Sequence, residues 1–243
     1  MSEPYYRPDL ARVHHEGFAF HADDAAPGII GLLAPVRTAE GLVVELGCGS
    51  GLLTRHLVDA GFRVAASDAS PAMLDIAREH AAGAASIELL RLPDDPIPAA
   101  DAIVSVGHAL SYLPDETSIG RALAAIAAAL RPGGLLLIDI CDLAWGAARV
   151  DQGALWWSDE DWALCTRTSV PTPDRYVREM TIFSRNDDGT WRRDDERHDN
   201  VLIDTARIPA MLADLGVDVH LDPRIGDYVL PTGLVAVVGT KRA

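Results

Sequence analysis

Short apolar runs alternate with amphipathic stretches along the first 140 positions of the chain. Val43 to Leu46, Phe62 to Ser67, Ile87 to Leu90, Asp101 to Val106 and Leu135 to Ile140 have the length and aliphatic character of buried strands. Between them, the segment from Leu52, the stretch from Pro71 to about His80, and Thr117 to Leu130 place apolar residues at helical spacing. Ser70 is suited to cap the helix that starts at Pro71, and Pro132-Gly133-Gly134 stops the one before it. Ile29 to Leu33 reads as a helix leading into the first strand, and Ala206 to Leu215 as the last helix. Val217 to Val219 and Leu234 to Val238 complete the set of strands. Alternating strand and helix predicts an α/β protein built on a mostly parallel, seven-stranded, Rossmann-like sheet with helices on both faces.

From Asp142 the pattern changes. Trp145, Trp156, Trp157 and Trp162 crowd a stretch without a clear period. Trp162 to Val170, Tyr176 to Arg185 and Trp191 to Ile203 then read as strands, with a hairpin turn at Asn186-Asp187-Asp188-Gly189. Their polar surfaces predict an antiparallel insertion, about residues 142 to 204, that caps a pocket. Residues 1 to 24 are rich in aromatics and histidine and lie outside the repeating pattern. Two readings stand for them: a lid over the ligand mouth, or an amphipathic arm packed on the rest. The whole chain, 1 to 243, is expected to form one domain.

The chemistry concentrates in Glu45-Leu46-Gly47-Cys48-Gly49-Ser50-Gly51, between the first strand and the next helix. Glycine at alternate positions lets a ligand lie against bare backbone. A dinucleotide fingerprint would place its third glycine where Leu52 stands, and Glu45 at the mouth would repel a pyrophosphate. The same carboxylate attracts an ammonium and a sulfonium, which points to S-adenosylmethionine. Asp68 lies seventeen residues past Gly51, where a carboxylate can accept hydrogen bonds from both ribose hydroxyls.

Glu45 to Gly51 together with Ser67-Asp68-Ala69-Ser70-Pro71-Ala72-Met73-Leu74 resembles motif I and the second acidic motif of class I S-adenosylmethionine-dependent methyltransferases. The resemblance covers roughly residues 25 to 141. It implies a cofactor site of Glu45, Gly47, Cys48, Gly49, Gly51, Asp68, Ala69 and Met73, with S-adenosylhomocysteine as product. It puts Leu92 where the family often holds the adenine amino group with an acid, so that apolar packing on the ring takes over that contact. Val106 and Gly107, at the end of the fourth strand, join the same site. The later strands, through Gly107 to Leu113, Arg178 to Phe183 and Glu196-Arg197-His198, are similar to the layout of dTDP-amino-sugar N,N-dimethyltransferases.

A methyl acceptor must be held in line with the methyl group and sulfur, and a hydroxyl or ammonium acceptor also needs a base. His108 sits at the crevice end of the fourth strand beside Tyr112, and His198 shares a strand face with Glu196, which is expected to raise its basicity. His14 and Tyr6 are further candidates from the N-terminal segment. Each has a packing role as its alternative. His56 is read as structural and Cys48 as packing. Catechol-type enzymes place a carboxylate at the end of the fourth strand, where this chain has Val106-Gly107-His108, so no metal is expected.

Charge narrows the acceptor. The formal net charge is −15, which opposes binding to phosphate backbones, and the Asn/Asp-Pro-Pro-Tyr/Phe run of DNA amino methyltransferases is missing. No stretch reaches the roughly 18 apolar residues of a membrane span, and the first residues lack a signal-peptide core. Three cysteines without metal-like spacing fit a reducing cytoplasm. These features predict a cytoplasmic methyltransferase, monomer or homodimer, acting on nitrogen or oxygen of a small polar metabolite, with no nucleic-acid or membrane partner. A nicotinamide-dependent oxidoreductase and a non-catalytic adenosylmethionine-binding protein are the competing classes.

Overall fold

Helices precede the first strand: α1 (Pro8–Gly17), α2 (Phe20–Leu32) and α3 (Ala34–Thr38). The structure, a computed structural model, describes residues 5 to 243, so positions 1 to 4 of the expected N-terminal segment lie outside it. The rest of that segment is helical and packed. Leu10 and Val13 of α1 are buried with Trp162, Leu164, Met180 and Ile182, which packs α1 against the second of the two sheets described below. The continuation of α2 back to Phe20 escapes periodicity because Pro27 interrupts the helical signal.

The alternating region then runs β1 (Leu42–Leu46), α4 (Leu52–Asp59), β2 (Arg63–Asp68), α5 (Pro71–His80), β3 (Ser86–Leu89) and β4 (Ala100–Ser105). A short 3₁₀ turn, Ala109–Tyr112, leads to α6 (Glu116–Ala129) and β5 (Leu130–Cys141). Ser70 caps α5 as expected, its hydroxyl accepting from the Met73 amide at 3.2 Å. Asp115 caps α6 in the same way through the Ser118 amide at 2.7 Å.

After β5 come α7 (Leu143–Ala147), β6 (Leu155–Ser158), β7 (Trp162–Thr172), β8 (Arg175–Arg185) and β9 (Trp191–Val201). The chain closes with α8 (Ile208–Asp214), β10 (Val217–Asp222), the small ribbon β11 (Arg224–Ile225) and β12 (Tyr228–Val229), and β13 (Leu234–Lys241). The main sheet has seven strands in the order β10-β13-β5-β4-β1-β2-β3. Only β13 runs against its neighbours, so the expected mostly parallel Rossmann-like sheet is what forms.

The order reverses between β1 and β4, and that is where a doubly wound sheet opens a crevice beyond its strand ends. Apolar clusters cover both faces, one around Leu33, Leu57 and Val64 and the other around Leu123, Ile126 and Leu136. The second sheet is antiparallel, β6-β7-β8-β9, and includes an edge strand at Leu155–Ser158 that the tryptophan-rich stretch concealed. Among the described residues, no helix is long and apolar enough to cross a membrane.

Candidate active site

The glycine turn joins β1 to α4 with three residues in the left-handed region: Gly47 at φ 71°, Gly49 at φ 55° and Gly51 at φ 81°. They serve different ends. A Cβ on Gly47 would fall 2.4 Å from the Ala109 Cβ, and one on Gly51 would meet Ala77 and Ala81 at 3.2 Å, so both are glycine for packing. A Cβ on Gly49 would find only the Met73 sulfur, 4.0 Å away. Gly49 therefore presents bare backbone to open space, as does Gly107 at φ 95°, where nothing lies within 4 Å of the missing Cβ.

Two acids flank the turn. Asp68 Oδ2 accepts from the Gly49 amide at 2.9 Å and Oδ1 from the Ser70 amide at 2.8 Å. Each oxygen keeps a lone pair for a further donor. Burial raises the Asp68 carboxyl above its ordinary range, against the pull of those amides. Glu45 is buried at 3% exposure and accepts from the Thr54 hydroxyl at 2.7 Å. Burial pushes it up to about 8, with Asp68 adding to the rise and Thr54 opposing it. Cys48 is buried and its thiol is held well above the usual range by burial and by the two acids, which fits packing and not nucleophilic attack. Ala69 lies at the bend after Asp68, Met73 is buried beneath the turn, and half-buried Leu92 and Val106 pack against the two apolar clusters.

A second group gathers beyond the strand ends. The Tyr6 and Tyr112 hydroxyls are 2.8 Å apart, and Arg178 of β8 donates to the Tyr112 hydroxyl. The His14 ring meets Tyr6 edge-on with centroids 5.1 Å apart, and His108 stacks on Tyr112 at 5.6 Å. Tyr6 is moored at both ends of its peptide, its carbonyl accepting from Ser70 and its amide donating to Glu196. Asp139, fully buried on β5, accepts from the amides of Gly107 and His108 and lies 2.9 Å from His21 Nε2. Because Asp139 can only accept there, His21 carries its proton on Nε2 and its Nδ1 accepts from Tyr228, 3.0 Å away.

The family described as methyltransferase domain matches residues 43–134, the stretch that holds the turn, Asp68 and the end of β4. Residues 43–134 carry a methyltransferase domain, on a fold of the class I S-adenosylmethionine-dependent type. A putative methyltransferase of a Geobacillus species is 29% identical over 162 residues, covering 64% of this chain and 65% of that protein. Among solved structures, an S-adenosylmethionine-dependent methyltransferase from Clostridium acetobutylicum aligns with a TM-score of 0.81 at 16% identity, covering 96% of this chain and 98% of that one. The sugar N-methyltransferase KedS8 from a Streptoalloteichus species aligns with a TM-score of 0.78 at 19% identity, covering 100% and 97%.

Within the methyltransferase domain and its insertion, the expected bases meet different fates. His198 is fully buried, with Nε2 2.8 Å from Glu196 Oε2 and Nδ1 3.3 Å from Arg178 Nη2. Glu196 also accepts from the amides of Tyr6 and Arg7, so it takes the His198 proton-bearing nitrogen as a donor and leaves Nδ1 to accept from Arg178. The predicted gain in basicity is thus reversed: burial, followed by Arg178, drives His198 down to about 2. The His198 ring bridges Glu196 and Arg178. His108 and His14 are held neutral as well, at about 3 and about 4, chiefly by burial and then by Arg178. Each nevertheless keeps a buried Nδ1 with no partner. His108 sits in the left-handed region at φ 52°, a backbone conformation a non-glycine residue adopts at a cost.

Sequence reasoning passed over Asp139, His21 and Arg178 as site residues. Asp139 carried a readable signal, a carboxylate in the apolar run Leu135 to Ile140 that has to be paired when buried. Arg178 opened a stretch similar to the amino-sugar dimethyltransferases and His21 lay in a histidine-rich segment, but their contacts depend on packing between distant segments. Among the described residues, no group of three or more His, Cys, Asp or Glu side chains is arranged to hold a metal ion.

Proposed function

We propose that the chain transfers a methyl group from S-adenosylmethionine to nitrogen or oxygen of a small polar acceptor. The observation that carries this reading is the turn itself: open backbone at Gly49, with Asp68 tied to its amide and buried Glu45 beneath. When bound, S-adenosylmethionine supplies a methyl carbon on a sulfonium and leaves as S-adenosylhomocysteine. Asp68 would accept from the ribose hydroxyls, and Gly49 and Gly107 would leave room for the donor. Two acids beside the turn favour a cationic donor over a diphosphate, which argues against the nicotinamide alternative.

The acceptor side falls to His14, His108, Tyr6 and Tyr112. Neutral imidazoles with an unpartnered Nδ1, in the tautomer that leaves its lone pair free, can accept from an amine or hydroxyl and aim its own lone pair at the methyl carbon. As the carbon–nitrogen or carbon–oxygen bond forms and the carbon–sulfur bond breaks, the acceptor gives up a proton. His21, with its tautomer set by Asp139, is the base best arranged to relay that proton, through the Tyr228 hydroxyl. Positioning alone can supply roughly 7 to 11 kcal/mol of barrier reduction. KedS8 is named as a sugar N-methyltransferase, which supports a small, hydroxyl-rich amine as one acceptor class.

We place the enzyme in the cytoplasm on the support of three unpaired cysteines, and read it as a monomer or homodimer. Calorimetric titration with S-adenosylmethionine, followed by transfer of labelled methyl to a panel of small amines and alcohols, tests the proposal. Neither heat nor a thermal shift on adding S-adenosylmethionine would end it. Tight binding with no turnover on any acceptor would favour the non-catalytic alternative.

A further inference from the structure

Arg178 is a buried cation without a counter-charge. Its guanidinium lies deep among three phenols and three imidazoles: Tyr6, Tyr112 and Tyr176, with His14, His108 and His198. Among the described residues, no carboxylate comes within ion-pair distance of it. The two nearest acids are already engaged, Glu196 with His198 and two amides, Asp139 with His21 and two amides. One nitrogen of the fork donates to Tyr112 and His198, while the Nε hydrogen is buried with no acceptor at all.

A buried charge and a buried donor in that condition are unfavourable unless something else satisfies them. Arg178 as a whole residue is half-buried, so part of the side chain remains within reach of a small solute. A planar guanidinium with free donors matches an oxyanion.

We infer that Arg178 is the seat for an anionic oxygen group, a carboxylate or phosphate, carried by the methyl acceptor. This rests on the methyltransferase reading and narrows it to acidic or zwitterionic acceptors. The seat belongs to the acceptor and not to the donor's own carboxylate, because Arg178 comes from β8, outside residues 43–134 that hold the donor turn. A guanidinium next to a sulfonium also disfavours the protonated form of an amine acceptor, so that it arrives as the free nucleophile.

The test uses the full chain saturated with S-adenosylhomocysteine, titrated with acetate and with inorganic phosphate against chloride at equal ionic strength. Thermal shift and calorimetry are the readouts. We expect saturable stabilisation by one or both anions, weakened at least tenfold in Arg178→Met, with S-adenosylmethionine affinity changed less than threefold. Acetate against phosphate distinguishes the two anion classes. Equal responses in wild type and variant would overturn the inference. So would a tenfold loss of S-adenosylmethionine affinity with 5′-methylthioadenosine binding retained, since the donor's carboxylate would then occupy Arg178. If Arg178→Met does not fold, Arg178→Lys decides by the same criteria, because lysine keeps the charge but lacks the fork. A wild type that binds no S-adenosylhomocysteine removes the methyltransferase reading and this inference together; binding without an Arg178-dependent anion response removes the seat alone.

Discussion

Glu45 should make donor binding release a proton. Its carboxyl is buried with a single hydroxyl partner, and it titrates near 8 in the folded protein against an ordinary value of 4.5. Between those pH values the native state holds a proton that the unfolded chain has lost. Its contribution to stability is therefore fully present below about pH 4.5 and declines as pH rises through about 8. Over the whole window the loss amounts to about 5 kcal/mol, taken at about 1.4 kcal/mol per pH unit.

A sulfonium and an ammonium arriving at the turn favour the charged carboxylate and reverse this cost. At pH 6.5, calorimetry of S-adenosylmethionine binding in buffers of different ionisation enthalpy should report close to one proton released per donor bound. In Glu45→Gln the released proton should vanish, and the unliganded variant should lose the decline in stability between pH 5 and 8. The same proton count in wild type and Glu45→Gln would refute the assignment. So would an unliganded wild type whose stability is flat across that range.

Other substitutions separate the roles assigned above. Asp68→Ala removes a carboxylate from two amides and, by our reading, from the ribose; at roughly 1.5 to 3 kcal/mol per charged hydrogen bond, S-adenosylmethionine affinity should fall by at least about 100-fold in calorimetry, whereas a change under threefold would deny Asp68 that contact. His198→Asn should lower turnover without moving the pH profile between 5 and 9, because the imidazole already stays neutral above about 2; a lost or displaced limb would restore it as a base. Gly51→Ala forces a Cβ against Ala77 and Ala81 at 3.2 Å with φ at 81°, and should cost roughly 1 to 3 kcal/mol in chemical denaturation. Gly49→Ala meets no such crowding, so its larger effect should fall on donor affinity; unaltered affinity would argue that the donor lies elsewhere.

The chain's linear order was enough to identify the parallel sheet and the donor turn, because both are local devices. Five aliphatic runs, a cap at Ser70 before Pro71 and glycines at alternate positions each act within a few residues, so their physics is written in neighbouring letters. The two acids Glu45 and Asp68 are legible for the same reason, each ending a strand where the sheet opens. The helices at Pro8–Gly17 and Phe20–Leu32 were less legible, since Pro27 and a mixed aromatic pattern disguise them and the first is buried by strands more than 130 residues away.

Protonation in the acceptor region was decided only by tertiary packing. Glu196 beside His198 reads in sequence as a base and its helper, yet the fold brings Arg178 onto the other ring nitrogen and buries the whole group. Likewise Asp139, His21 and Tyr228 become one hydrogen-bonded line through the joining of β5, α2 and the β11–β12 ribbon, elements that share no local pattern. Burial and the sign of a neighbouring charge set a side chain's proton affinity, and neither is a property of the residues next to it in the chain.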